Sequence, residues 1–116
     1  MSVRTEKVGS VIKEAIAEQF QKFKPDFVDG MLSVVDVKVS PDVSIAKVYV
    51  SLFRTITDPV LIVKKLNARS FEYRKRLGPM VTLKILPELR FFLDHTVGAL
   101  EHIDEVLKEL KETNKF

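Results

Sequence analysis

Between positions 64 and 84 the chain gathers seven cations, Lys64, Lys65, Arg69, Arg74, Lys75, Arg76 and Lys84, against a single carboxylate, Glu72. That block carries +6 in a protein whose total is +3, so the remaining residues sum to −3. Positive charge concentrated in an otherwise acidic chain is the electrostatic footprint of a phosphate-binding surface. A solvated helix face has the same composition, so charge alone does not decide between the two. The chemistry on offer is ion pairing and hydrogen bonding to phosphate oxygens.

Residues suited to catalysis or metal binding are not arranged for it. His95 and His102 lie seven positions apart with no HExxH-like pair, and are expected to be ordinary polar residues. Asp94-His95 lacks the serine or cysteine motif that a catalytic dyad would serve. Gly9, Gly30, Gly78 and Gly98 stand singly, so no GxGxxG and no phosphate-cradling loop is present. Asp36, Asp42, Glu88 and Asp94 fall in strands and turns and define no acid/base pair. No catalytic residue, metal ligand or cofactor is expected.

The elements that must position the cations are legible from periodicity. Thr5 to Phe23 places Val8, Ile12, Ala15, Ile16, Phe20 and Phe23 at helical spacings, and Lys24-Pro25 should end that helix. Leu32 to Val39 and Ile45 to Phe53 alternate as strands, with Val35, Val37 and Val39 sharing one face and Ala46, Val48, Val50 and Leu52 another. Ser40-Pro41-Asp42 makes the turn between them. The opposite parity of the second strand, Lys47, Tyr49, Ser51 and Phe53, mixes charge with aromatics as a base-stacking platform would, although helices more often cover such a face.

Asp58-Pro59 is a helix start, with aspartate as N-cap and proline at the first helical position. The helix is expected to run to Leu77, with Gly78-Pro79 as its stop. Ile62, Leu66, Ser70, Tyr73 and Leu77 form its buried stripe, with Ser70 at a kink or close approach, while Lys65, Arg69, Glu72 and Arg76 form a solvent stripe. Met80 to Leu93 reads as a third, interrupted strand, with Pro87 confined to an edge or bulge. An acidic amphipathic helix at about 97–112, frayed after Lys111, closes the chain.

A chain of 116 residues, 46% hydrophobic and 30% charged, suits one globular domain spanning 1–116. It lacks cysteine, a secretory signal in MSVRTEKVGS and any apolar run of spanning length. A soluble, cytoplasmic protein with no membrane association is expected. The order of elements implies an α+β fold in which helices cover one face of a small sheet.

The segment from Val37 to Ser51, VKVSPDVSIAKVYVS, resembles the hairpin signature of the ribosome-binding factor A family of bacterial small-subunit assembly factors. Lys7-Val8-Gly9 with Ile12, and Leu83 to Asp94, LKILPELRFFLD, resemble further motifs of that family in the same order. The likeness spans about residues 4 to 108. It implies a KH-like fold of the second type, α-β-β-α(kink)α-β plus a C-terminal helix, with no enzymatic activity. It further implies a monomer that binds 16S ribosomal RNA in the free or immature 30S subunit, assists 5′-end processing and growth in the cold, and leaves the finished particle.

KH domains clamp nucleotides with a GxxG loop, and no GxxG occurs here. The family's Ala-x-Gly kink finds its nearest counterpart in Ala68-Arg69-Ser70, while counting back from Leu77-Gly78 selects Arg69-Ser70-Phe71. Lys64, Lys65, Arg69, Arg74, Lys75, Arg76 and Lys84 are then the expected rRNA-phosphate contacts. The rival readings are a general structured-RNA binder, a protein-interaction module docking through its acidic or basic helix, and a small enzyme or ligand-binding domain, which would need a polar pocket.

Overall fold

The first amphipathic stretch forms α1, Val3–Lys22, in a computed structural model that describes residues 3–94. The expected terminal helix, and with it His95, Gly98 and His102, lies outside the described residues. After α1 come β1 (Met31–Val39), β2 (Ile45–Phe53), α2 (Pro59–Ala68), α3 (Ser70–Met80) and β3 (Glu88–Leu93). The sheet order is β1-β2-β3, with β1 antiparallel and β3 parallel to β2. This is the expected α+β, KH-like order.

One face of the sheet is buried. Val37, Val39, Ala46, Val48, Val50, Leu52, Leu89 and Phe91 meet Ile12, Ile16 and Phe20 of α1 and Ile62, Leu66, Tyr73 and Leu77 of the helix pair. Phe20, Tyr73 and Phe91 form an aromatic triad with ring centroids 5.5–6.1 Å apart. Burial of this apolar surface is the main favourable term in the fold. α1 lies so close to β1 that a β-carbon on Gly9 would stand 2.9 Å from the carbonyl oxygen of Val37.

The opposite face is open. Lys38, Lys47 and Arg90 are exposed there, beside half-buried Tyr49 and exposed Phe92. No helix among the described residues covers the Lys47 and Tyr49 end of this parity, whereas Ser51, two places further along β2, is buried; the even-numbered residues of β2 face the helices.

The β1–β2 turn holds a costly conformation. Val43 adopts φ 60°, a left-handed geometry that β-branched residues rarely take. The Asp42 carboxylate fixes it by accepting from the hydroxyls of Ser40 at 2.8 Å and Ser44 at 2.7 Å and from the Ser44 backbone N–H. Those donors, the Ser44 hydroxyl first, hold the Asp42 carboxyl below the usual aspartate value. The Ser40 hydroxyl oxygen in turn accepts from the Ile45 N–H.

At β3 the outer edge meets a side chain in place of another strand. Asn67 of α2 donates through Nδ2 to the Phe91 carbonyl at 2.9 Å and accepts at Oδ1 from the Phe91 N–H at 2.7 Å. The amide group thereby satisfies both backbone groups that Phe91 turns away from β2.

Four details differ from the periodic reading. Phe23 lies beyond α1 and is 56% exposed, so it is not a core residue. The register shifts between Val34 and Asp36, so Val35 is a bulge and Val34 takes the inward position before it. Gly78-Pro79 does not stop the second helix, which runs to Met80. Gly78 has no β-carbon to clash with the proline ring, and one placed there would stand 3.4 Å from Leu86 Cδ1. The third strand begins only at Glu88: Val81, Leu83 and Leu86 reach the core from a loop, and Ile85 is 62% exposed.

The close approach at Gly9 sets a sign. In an open helix Gly→Ala stabilises by up to about 1 kcal/mol. Gly9→Ala should instead lower stability by about 1–3 kcal/mol, because α1 must shift from the Val37 carbonyl. Equilibrium denaturation of the two proteins measures this directly.

Candidate nucleic-acid interface

The basic residues ride on a helix whose start, break and end are each locally determined. Asp58 accepts the Val60 N–H at 3.0 Å through Oδ1, and Pro59 occupies the first turn. Ile62, Val63 and Leu66 then bury one side of α2, which leaves Lys64 and Lys65 in solvent.

The break falls on Arg69, at φ −108° and ψ 15°, with Ala68 as the last residue of α2 and Ser70 as the first of α3. This conformation lies on the negative-φ side, open to any L-residue, so the bend needs no glycine. The Arg69 N–H is shared between the carbonyls of Lys65 and Leu66 at 3.2 and 3.1 Å, which tightens the final turn of α2.

Past the break, residues two apart point to nearly opposite sides of α3, and the cations of this helix divide accordingly. Arg76 turns towards α1, its guanidinium 5.1 Å from the Phe23 ring centroid and 6.0 Å from that of Tyr73. Arg74 turns the other way and donates to the carbonyls of Leu86 (Nη2, 2.8 Å) and Pro87 (Nε, 3.2 Å). It fastens the loop that delivers β3. Lys75, between them, is exposed.

Lys65 and Arg69 converge on Phe27, with Nζ and Cζ 5.9 and 5.0 Å from its ring centroid. Arg69 also reaches Asp26 at 3.6 Å across an exposed pair, a contact worth little in water. Lys84 belongs to a different place, lining a recess with Arg4, Val8 and the Pro41–Asp42 turn at the other end of the sheet. The seven cations are therefore not one patch: Lys65, Arg69 and Arg76 form a cation-aromatic face with Phe27 and Phe23, with Lys64 and Lys75 also exposed on the same two helices.

Phe23 and Phe27 stand in the connector between α1 and β1, and Asp29 fixes that connector. Its Oδ2 accepts from the backbone N–H of Thr57 at 2.9 Å, that of Ile56 at 3.1 Å and the Thr57 hydroxyl at 3.0 Å. Gly30 completes the approach, because a β-carbon there would collide with the Phe53 carbonyl oxygen. The periodic pattern does not single out Phe27. An aromatic residue two places after Pro25 and outside every apolar stripe is the signal that could have found it.

Among the described residues no three or more His, Asp or Glu side chains gather to hold a metal ion, and no helix is long and apolar enough to cross a membrane. A broken helix crossing a three-stranded α+β sheet, with cations laid over aromatic rings on its outer surface, defines a KH-like domain with a basic side. The ribosome-binding factor A family model matches residues 4–107. The chain belongs to that family.

Ribosome-binding factor A of Cytophaga hutchinsonii is 35% identical over 112 residues, covering 94% of this chain and 84% of that protein. The crystal structure of ribosome-binding factor A from Thermus thermophilus superposes with a TM-score of 0.66 at 24% identity, over 77% of this chain and 94% of that one. A Thermus thermophilus ribosome-binding factor A homology model, fitted into the electron cryo-microscopy map of a 30S complex, superposes at 0.60 with 27% identity, over 72% and 88% of the two chains. This is a family of ribosome-binding factors and not a known family of enzymes.

The Thr57 N–H, more than the hydroxyl and the other amides, draws the Asp29 carboxyl below its usual value. A depressed folded pKa gives stability that is present above the unfolded value of about 3.9 and is withdrawn as pH falls through the folded one. Asp29→Asn should therefore lower the thermal midpoint at neutral pH and flatten its decline on acidification. Melting curves from about pH 7 to about pH 2 check both effects.

Proposed function

We propose that this protein binds the 30S ribosomal subunit during its maturation, with the Lys65, Arg69 and Arg76 face against 16S rRNA phosphates. The observation that carries the reading is the convergence of these cations on Phe27 and Phe23. Rings beneath the charged groups hold them out from the surface without neutralising them. Family membership and the 30S complex of a relative support the choice of partner.

Lys64 and Lys75 extend the contact along the same helices, and Lys84 adds a separate anchor at the hairpin end. Arg74 acts indirectly, by holding the β3 loop. Phosphate contacts supply affinity, while the shape of folded rRNA selects the site through backbone and 2′-hydroxyl contacts. The protein acts in the cytoplasm as a monomer, without cofactor or catalysis. It holds the rRNA in a conformation that permits 5′-end processing, a step that matters most in the cold, when misfolded RNA escapes slowly.

Reversing Lys65, Arg69 and Arg76 to glutamate should weaken co-sedimentation with precursor 30S particles by at least tenfold. The dependence of log affinity on log salt should also become shallower by about 2, given about 0.7–0.9 for each phosphate no longer neutralised. Unchanged binding at both of two salt concentrations would remove the helical face from the interface.

A further inference from the structure

The open face of the sheet holds a second constellation that the helical interface does not use. Lys38, Lys47 and Arg90 occupy directly opposed positions on β1, β2 and β3, so three cations form one row across the sheet. The neighbouring row on the same face is Asp36, Tyr49 and Phe92. Tyr49 and Phe92 are stacked, with centroids 5.7 Å apart and planes at 29°, and the Lys38 ammonium stands 5.7 Å from the Tyr49 centroid.

Like charges directly opposed across strands destabilise a sheet. The row is only partly compensated: Glu88 pairs with Arg90 at 3.1 Å, the Asp36 carboxylate accepts from its neighbour's backbone N–H, and Lys47 has no ion-pair partner among the described residues. Phe92 is 39% exposed on an edge strand, where a polar residue would cost nothing in core packing. Repelling cations next to a stacked aromatic pair, with Phe92 exposed and Tyr49 half-buried, are costly for folding and suited to a ligand that carries both negative charge and flat π-faces.

We propose that this open face is a binding site for unpaired RNA, with a base stacking on Phe92 beside Tyr49 and the adjoining phosphates held by Lys38, Lys47 and Arg90. Rows on one face of a sheet are about 7 Å apart, which suits a base on one row and its backbone on the next. A duplex buries its base faces and offers the aromatic row nothing, so the site selects single strands. The choice of RNA rests on the reading of the helical face, but the site lies on the other side of the sheet and is tested apart from it.

The experiment is fluorescence anisotropy of the full-length protein with a labelled uridine decamer and with an RNA duplex of the same length, each at two salt concentrations. The wild type should prefer the single strand. Phe92→Ala should weaken decamer binding about tenfold or more, the scale of one base stack removed, and leave the duplex unchanged. Phe92→Leu, which keeps the bulk without the ring plane, should show most of the same loss.

Lys38→Gln with Lys47→Gln should make the salt dependence for the decamer shallower by about 1.4, at about 0.7 per phosphate neutralised on a single strand. The thermal midpoint should not fall, because the change relieves repulsion. Lys65→Glu, Arg69→Glu and Arg76→Glu together should leave the stacking contribution intact, which separates failure here from failure of the 30S interface.

Equal affinity of all these variants for the decamer, or a wild type that binds duplex as well as single strand, overturns the proposal. So does decamer binding that appears only after Glu101, Asp104 and Glu105 are neutralised to Gln, Asn and Gln. That outcome would assign the face to the chain's own acidic terminus.

Discussion

The parallel pairing of β3 with β2 is the constraint on which the rest of the architecture depends. A tight turn cannot join parallel neighbours, so the chain between Phe53 and Glu88 must travel back along the sheet before it re-enters. That return path is the broken helix pair. Its inner side supplies Ile62, Leu66, Tyr73 and Leu77 to the core, and its outer side has nowhere to go but solvent. The cations are displayed by the element that topology obliges to lie across the sheet. Two side chains of that element, Asn67 and Arg74, then hold β3 and the loop before it by their backbones.

The break at Arg69 serves both tasks. A straight helix would present one stripe of side chains, whereas the bend ends α2 beside Phe27 and turns α3 so that Arg76 meets Phe23. The KH-like frame is preserved without either a glycine loop or a glycine hinge, because the bend uses dihedrals that any residue can adopt. On the reading proposed above, recognition passes from backbone amides in a loop to charged side chains on a helix, which suits a target with a fixed arrangement of phosphates.

The sequence disclosed elements whose causes are local and concealed those whose causes are distant. The β2 boundaries and the Asp58 cap follow from neighbouring residues and match the structure. Alternation puts Val35 on the face of Val37 and Val39, and the bulge moves it off, because a bulge is defined by the strand opposite. The apolar alternation from Val81 to Ile85 satisfied a strand pattern while serving a loop, since a core accepts side chains from either. For the interface, the cations were countable from composition, but their division was not. Arg74 and Arg76 look equivalent in sequence and differ only in what stands about 200° apart around α3. Phe23 fits the helical period of α1, which by itself places it inward. Its exposure follows from the end of the helix one residue earlier.

The Asn67 clamp has a consequence for how the molecule behaves in a crowded solution. An unpaired strand edge is a template on which another chain can add a strand, and three-stranded sheets have proportionally more edge than large ones. By occupying both outward groups of Phe91 at mid-strand, one carboxamide removes the register in which an incoming strand would nucleate. At this edge a single side chain opposes self-association, and the middle of β3 keeps its regular pairing with β2.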